Sequence, residues 1–84
     1  MLIKTEENIW GELLYELQSA RSKYPSFNSA HEGYATILEE LDELWDEIRK
    51  KPNKRSRLKM RKEAIQVGAM AVRFICDVCG KDKF

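Results

Sequence analysis

Three features of the 84-residue sequence predict an all-α fold of three main helices. Apolar residues recur at helical spacing along three stretches, proline and polar segments separate those stretches, and almost nothing alternates as a strand would. The helices are expected at about residues 6–23, 30–50 and 56–78, within one domain spanning residues 1–84. A chain this short buries only about 60% of its unfolded surface, so association of copies is an easy way to gain stability.

The first helix is expected to start at Thr5 as N-cap, with Glu6 and Glu7 in the first turn, where acids favour the helix dipole. Ile9, Trp10, Leu13, Leu14 and Leu17 then fall on one helical face. Tyr24-Pro25-Ser26 stops it, because the residue before proline avoids the helical region.

Ser29-Ala30-His31-Glu32 has the pattern of a capping box and opens the second helix. Its apolar stripe is Tyr34, Ile37, Leu38, Leu41, Leu44, Trp45 and Ile48, and Pro52 marks its end. The short polar linker of residues 51–57 predicts that helices two and three are antiparallel neighbours. Between Ala64 and Ile75 the third helix is apolar on nearly every side, which predicts burial all round. Two other helices cannot easily surround it, so it is expected to pack against another copy of itself, in a homodimer or homotetramer.

Charged residues make up 35% of the chain and apolar residues 43%, which suits a folded soluble domain rather than a disordered one. The longest apolar or glycine run, Val67 to Val72, is far short of the ~20 residues a membrane-spanning helix needs, so no membrane partner is expected. The start has no secretory pattern, which predicts a cytoplasmic chain whose two cysteines are thiols. The net charge of +1 conceals an asymmetry: residues 1–48 hold 11 acids and 3 bases, residues 49–84 hold 3 acids and 12 bases. Either the two halves attract each other on folding, or an acidic cluster lies beside a basic one, as a metal–phosphate site requires.

Two polar features do not belong to a plain core. Glu40, Glu43 and Glu47 line one stripe of helix two, within an acidic run that begins at Glu39. Like charges three and four apart repel by a few tenths of a kcal/mol per pair, and no lysine lies between Glu32 and Ile48 to relieve them. On helix three, Glu63, Gln66, Met70, Arg73 and Asp77 form one seam, with Lys59 and Lys62 extending it backward. Taken singly, these read as a solvated acidic face and a set of internal ion pairs such as Arg73 with Asp77. Taken together, antiparallel helices bring Glu40 and Glu43 opposite Glu63 and Gln66. Four oxygen-bearing side chains then converge, a hard-ligand set suited to Mg²⁺ or Mn²⁺. Lys59 and Lys62 beside them would neutralise the phosphates of a nucleotide.

Glu39-Glu40-x-x-Glu43, followed by Glu63-x-x-Gln66, resembles the signature of the MazG-like all-α nucleoside triphosphate pyrophosphohydrolases, in their short single-domain phage and bacterial form. The resemblance covers about residues 31–79. It implies an antiparallel bundle completed by oligomerisation, and Mg²⁺-dependent cleavage of the α–β phosphoanhydride to monophosphate and pyrophosphate, in nucleotide-pool house-cleaning. It implies metal ligation by Glu40, Glu43 and Glu63, a supporting or water-positioning role for Glu39, and phosphate contacts from Lys59 and Lys62. Position 66 departs from the pattern: the family has Asp where this chain has Gln. An amide oxygen still ligates Mg²⁺ but brings no charge, which implies weaker metal binding. The alternative is a catalytically impaired nucleotide- or protein-binding module on the same fold.

Other signals are weaker. Cys76-x-x-Cys79 is one pair where structural zinc wants four ligands. His31 sits in a first helical turn, where capping or solvent exposure is its expected role. Trp10 and Trp45 are expected in the core, with a base-stacking pocket as the alternative. Nine bases fall within residues 49–62, but the strongly acidic remainder would repel a duplex, so no nucleic-acid partner is expected.

Overall fold

The computed structural model describes residues 4–80, and among these the chain is helical throughout its ordered elements. Helix α1 spans Lys4–Lys23, α2 spans Ala30–Ile48 and α3 spans Arg57–Phe74. A short 3₁₀ turn, Pro52–Lys54, sits between α2 and α3, and a π-helical turn, Ile75–Cys79, continues from α3. The expected third helix to residue 78 is therefore an α-helix that widens into a π turn after Phe74. Thr5 lies within α1 rather than capping it.

The caps follow the sequence closely. Ser29 Oγ accepts from the Glu32 amide at 3.1 Å and sits in extended backbone conformation, as an N-cap must. Glu32 reaches back one residue further than a standard capping box, accepting from the Asn28 backbone N–H and its side-chain amide, both at 3.1 Å. Ser56 caps α3 by accepting from the Lys59 amide at 3.2 Å. At the far end of α2 the Arg55 guanidinium donates to the Ile48 carbonyl at 2.7 Å, satisfying a carbonyl the helix itself cannot.

Helix α3 is central: α1 and α2 pack on it from two sides, and the α2–α3 interface is the larger. Gly33 meets Phe74 at one end of that interface, and Glu43 lies near Glu63 at the other, so α2 and α3 run antiparallel. On the opposite flank Glu12 pairs with Arg61 and Glu16 with Gln66, so α1 runs parallel to α3. The arrangement leaves a cleft between α1 and α2, floored by α3.

The core gathers at one end of this framework. Phe27, Ala69, Met70 and Val78 are buried together, with Leu13, Ala20, Ala30, Ile37 and Phe74 packed against them. Glycine permits the closest approach. A methyl group on Gly33 would lie 2.5 Å from a Phe74 ring carbon and 3.2 Å from Phe27. Gly33→Ala should therefore destabilise the protein by about 1–2 kcal/mol, overpacking outweighing alanine's better helix propensity. Urea denaturation checks this, and an unchanged or higher midpoint would show that Phe74 moves aside freely.

Two buried charges fasten the core to the α1–α2 loop. Asp77 is 1% exposed and Arg73 5%. Asp77 accepts from the Phe27 amide at 3.1 Å and pairs with Arg73 at 3.5 Å and Arg21 at 3.6 Å. Arg73 donates to the Pro25 carbonyl and stacks over the Phe27 ring, 4.1 Å from its centroid. The pairing of Arg73 with Asp77 expected from i, i+4 spacing is present. The loop contacts give it its purpose, since they hold residues 25–27 against α3.

Both tryptophans depart from expectation. Trp10 and Trp45 are more than half exposed in the chain and belong to no buried cluster. Each lies on the side of its helix that α3 does not cover. Among the described residues no helix is long and apolar enough to cross a membrane.

Candidate metal centre

Glu40, Glu43 and Glu63 each offer a carboxylate oxygen, and the three oxygens lie within 4.8 Å of one another. The antiparallel packing of α2 on α3 produces this convergence. Glu40 and Glu43 are one turn apart on α2, and Glu63 rises to meet them from the first half of α3. In a Mg²⁺ octahedron neighbouring oxygens are roughly 3 Å apart and opposite ones roughly 4.2 Å, so the three groups would draw together around an ion. Their donor chemistry, carboxylate oxygen alone, is that of Mg²⁺ and Mn²⁺.

The electrostatics have the same character. Burial pushes the Glu40 carboxyl up to about 7, and the charges of Glu43, Glu63 and Glu39 add to the rise, with Glu43 also near enough to share its proton. Glu63 is raised as well, chiefly by burial and then by Glu43, with Lys62 opposing and Glu47 adding to the effect. Glu40 therefore holds a proton more readily than an ordinary carboxyl, and a divalent cation would displace it.

Beside the cluster lies the cleft between α1 and α2, about 530 Å³ in volume, within the range of small-molecule sites. Glu39, Glu40 and Thr36 line it from α2, Glu16 and Ser19 from α1, and Gln66 and Met70 from α3. Tyr24, Pro25 and Phe27 close its end, where Arg73 forms part of the floor. Glu39 and Glu40 thus stand where the acidic cluster meets the cleft.

Gln66 also faces this cleft, and its side-chain amide donates to Glu16 Oε2 at 2.7 Å. The amide is engaged by α1, a partnership that an aspartate at position 66 could not form. Lys62 borders a different, shallower groove between α1 and α3, together with Arg61 and Glu12. Lys59 is exposed on the turn before Glu63. Neither lysine lines the 530 Å³ cleft. Glu12 is lowered by its hydrogen bonds from Arg61, and that pair clips the first half of α1 to α3.

The sequence gives no sign of Glu16, because 50 residues separate it from Gln66 and nothing local joins them. Cys76 and Cys79 are exposed free thiols in the π turn, His31 is exposed, and neither tryptophan lines the cleft. Comparison of the chain with protein-family models, with curated proteins and with solved structures returned no match.

Proposed function

We propose that this chain is a MazG-like, Mg²⁺-dependent nucleoside triphosphate pyrophosphohydrolase. The observation that carries the reading is the convergence of Glu40, Glu43 and Glu63 beside a small-molecule-sized cleft that Glu40 also lines. Glu40, Glu43 and Glu63 would hold the metal, Mn²⁺ serving as well as Mg²⁺ by donor type. Bound there, the ion would offset charge on the phosphate oxygens and make a bound water more acidic.

The residues of the chain supply the rest. Glu39, next to Glu40 in the cleft wall, accepts a hydrogen bond from the attacking water and orients it toward the α-phosphorus. Tyr24 and Pro25 provide the exposed apolar surface of the cleft against which a nucleoside would rest, over the buried Phe27 and Met70. Lys62, whose charge reaches Glu63, and Lys59, one turn of α3 before Glu63, would add positive charge beside the cluster for the triphosphate. Water adds across the α–β anhydride, giving monophosphate and pyrophosphate, and no covalent intermediate is required. The work is positioning and charge neutralisation.

The test is pyrophosphate release from a panel of ribo- and deoxyribonucleoside triphosphates with Mg²⁺ or Mn²⁺, each beside a chelator control. Metal-dependent release, with one base preferred, is the expected result. No release from any nucleotide by the folded chain would sink the reading.

The hydrogen bond between Gln66 and Glu16 favours a second reading, a nucleotide- or protein-binding module that no longer catalyses. Gln66→Asp separates the two. A site built around the amide loses about tenfold in kcat/KM, close to the ~1.4 kcal/mol of one lost hydrogen bond. A tenfold gain would identify a decayed site.

A further inference from the structure

We infer that Cys76 and Cys79 are a reversible disulfide site, oxidised by small disulfides of the glutathione type, and that closing the bond fastens the loop at the end of the cleft. Both thiols are free and exposed. Asp77 and Val78, the two residues between them, are buried. The turn therefore presents both cysteines to solvent and both intervening residues to the core. Three steps along a helical turn place two Cα atoms about 5–6 Å apart, inside the range of about 4.4–6.8 Å that a disulfide spans. An oxidant reaches the pair without any part of the core opening.

The place of the pair in the fold gives the bond its consequence. Helix α3 widens over Ile75–Cys79 into a π turn, closed where the Gly80 N–H donates to the Ile75 carbonyl at 2.9 Å. A methyl group on Gly80 would lie 2.7 Å from the Cys76 carbonyl oxygen, so glycine suits this closure. The turn holds Asp77 inward, where its carboxylate accepts from the Phe27 amide at 3.1 Å and pairs with Arg73 and Arg21. Pro25 and Phe27, in the loop so held, line the cleft. The two thiols thus flank the carboxylate that ties this loop to the end of α3. A covalent bond across the turn restricts its opening, and with it the time Asp77 spends away from the Phe27 amide.

The chemistry is thiol–disulfide exchange. One cysteine, as thiolate, attacks a sulfur of the small disulfide, whose S–S bond breaks as the first small thiolate leaves. The other cysteine, as thiolate, attacks its neighbour's sulfur in that mixed disulfide. The Cys76–Cys79 bond forms and the second small thiolate departs. The cysteines lose two electrons, the small disulfide gains them, and the two thiol protons end on the released thiols. Excess small thiol runs the sequence backward. A neighbouring thiol resolves the mixed disulfide from within the chain, which a single exposed cysteine cannot do. Two thiols fall short of the four ligands of structural zinc, so exchange is the chemistry this pair completes unaided. The site stands whether or not the chain hydrolyses nucleotides.

The test equilibrates the full reduced chain with oxidised glutathione and follows intact mass, free thiols and amide hydrogen exchange. The product should be a single chain lighter by two hydrogens, with no free thiol, and reduced glutathione should reverse it. Exchange of the Phe27 amide should slow about tenfold on oxidation, while that of Ile37 on α2 changes less than about twofold. Cys79→Ser should stop at the mixed disulfide, keeping one glutathione on Cys76, with Phe27 exchanging at the reduced rate. Thiols that persist in excess oxidised glutathione would overturn the site, as would bonds between chains in place of the internal one. An internal disulfide that leaves Phe27 exchange unchanged, or slows Ile37 equally, would overturn the link to the loop.

Discussion

Glu40→Gln should abolish metal-dependent pyrophosphate release, by at least a factor of about 10³, and at the same time raise the melting temperature of the metal-free protein at pH 8. The two effects share one cause. Glu40 is the most crowded carboxyl of the cluster, raised to about 7 by burial and by Glu43, Glu63 and Glu39. A carboxyl whose folded value lies above its ordinary 4.5 contributes stability that is complete below pH 4.5 and is lost as pH rises through about 7. Metal-free wild type should therefore melt at progressively lower temperature between pH 5 and 8, and Mg²⁺ should restore the loss at the alkaline end. The amide variant should show only the shallower pH slope that Glu63 leaves, and a much weaker Mg²⁺ response. Thermal scans at four pH values, with and without Mg²⁺, read all of this. A variant less stable than wild type at pH 8 would show that Glu40 is held by attractive contacts, and the cluster would lose its case as a cation site.

Asp77→Ala should be the most damaging single substitution in the folded chain, costing about 3–5 kcal/mol. Its carboxylate is 1% exposed and serves Arg73, Arg21 and the Phe27 amide at once. Removing it leaves the buried Arg73 guanidinium without its counter-charge and frees residues 25–27 from α3. Asp77→Asn keeps an acceptor for the Phe27 amide and should recover part of the loss. Urea unfolding of both variants measures the difference. A cost near 1 kcal/mol for Asp77→Ala would mean that water replaces the carboxylate without strain. Because the same loop closes the cleft, any ligand of the cleft should bind Asp77→Asn more weakly than wild type.

Helix positions were legible in the sequence because their signals are local. Ser29 and Ser56 cap, Pro25 and Pro52 punctuate, and the apolar spacing between them is helical, so the observed ends lie within a few residues of expectation. The convergence of Glu40 and Glu43 with Glu63 was legible too, since antiparallel neighbours of known spacing leave little choice of register. What periodicity cannot reveal is which chain covers an apolar face. Trp10 and Trp45 carry the pattern of core residues, yet their own chain leaves them bare. The pairing of Gln66 with Glu16 was beyond reach for a different reason: it depends on α1 lying parallel to α3, an arrangement that no loop length between the first and third helices dictates. The Arg73–Asp77 spacing announced an ion pair but not the loop that the pair holds.

The placement of the tryptophans gives the chain a built-in optical probe. Both indoles stand in solvent, away from the cleft, on helices that otherwise share little contact. Their emission answers to whatever covers that outer face and ignores what fills the cleft. Any molecule that covers the face should shift the emission to shorter wavelength, whereas saturation with nucleotide should leave the spectrum where it was. Tryptophan emission thus reports what covers that face, undisturbed by a ligand of the cleft and without a label.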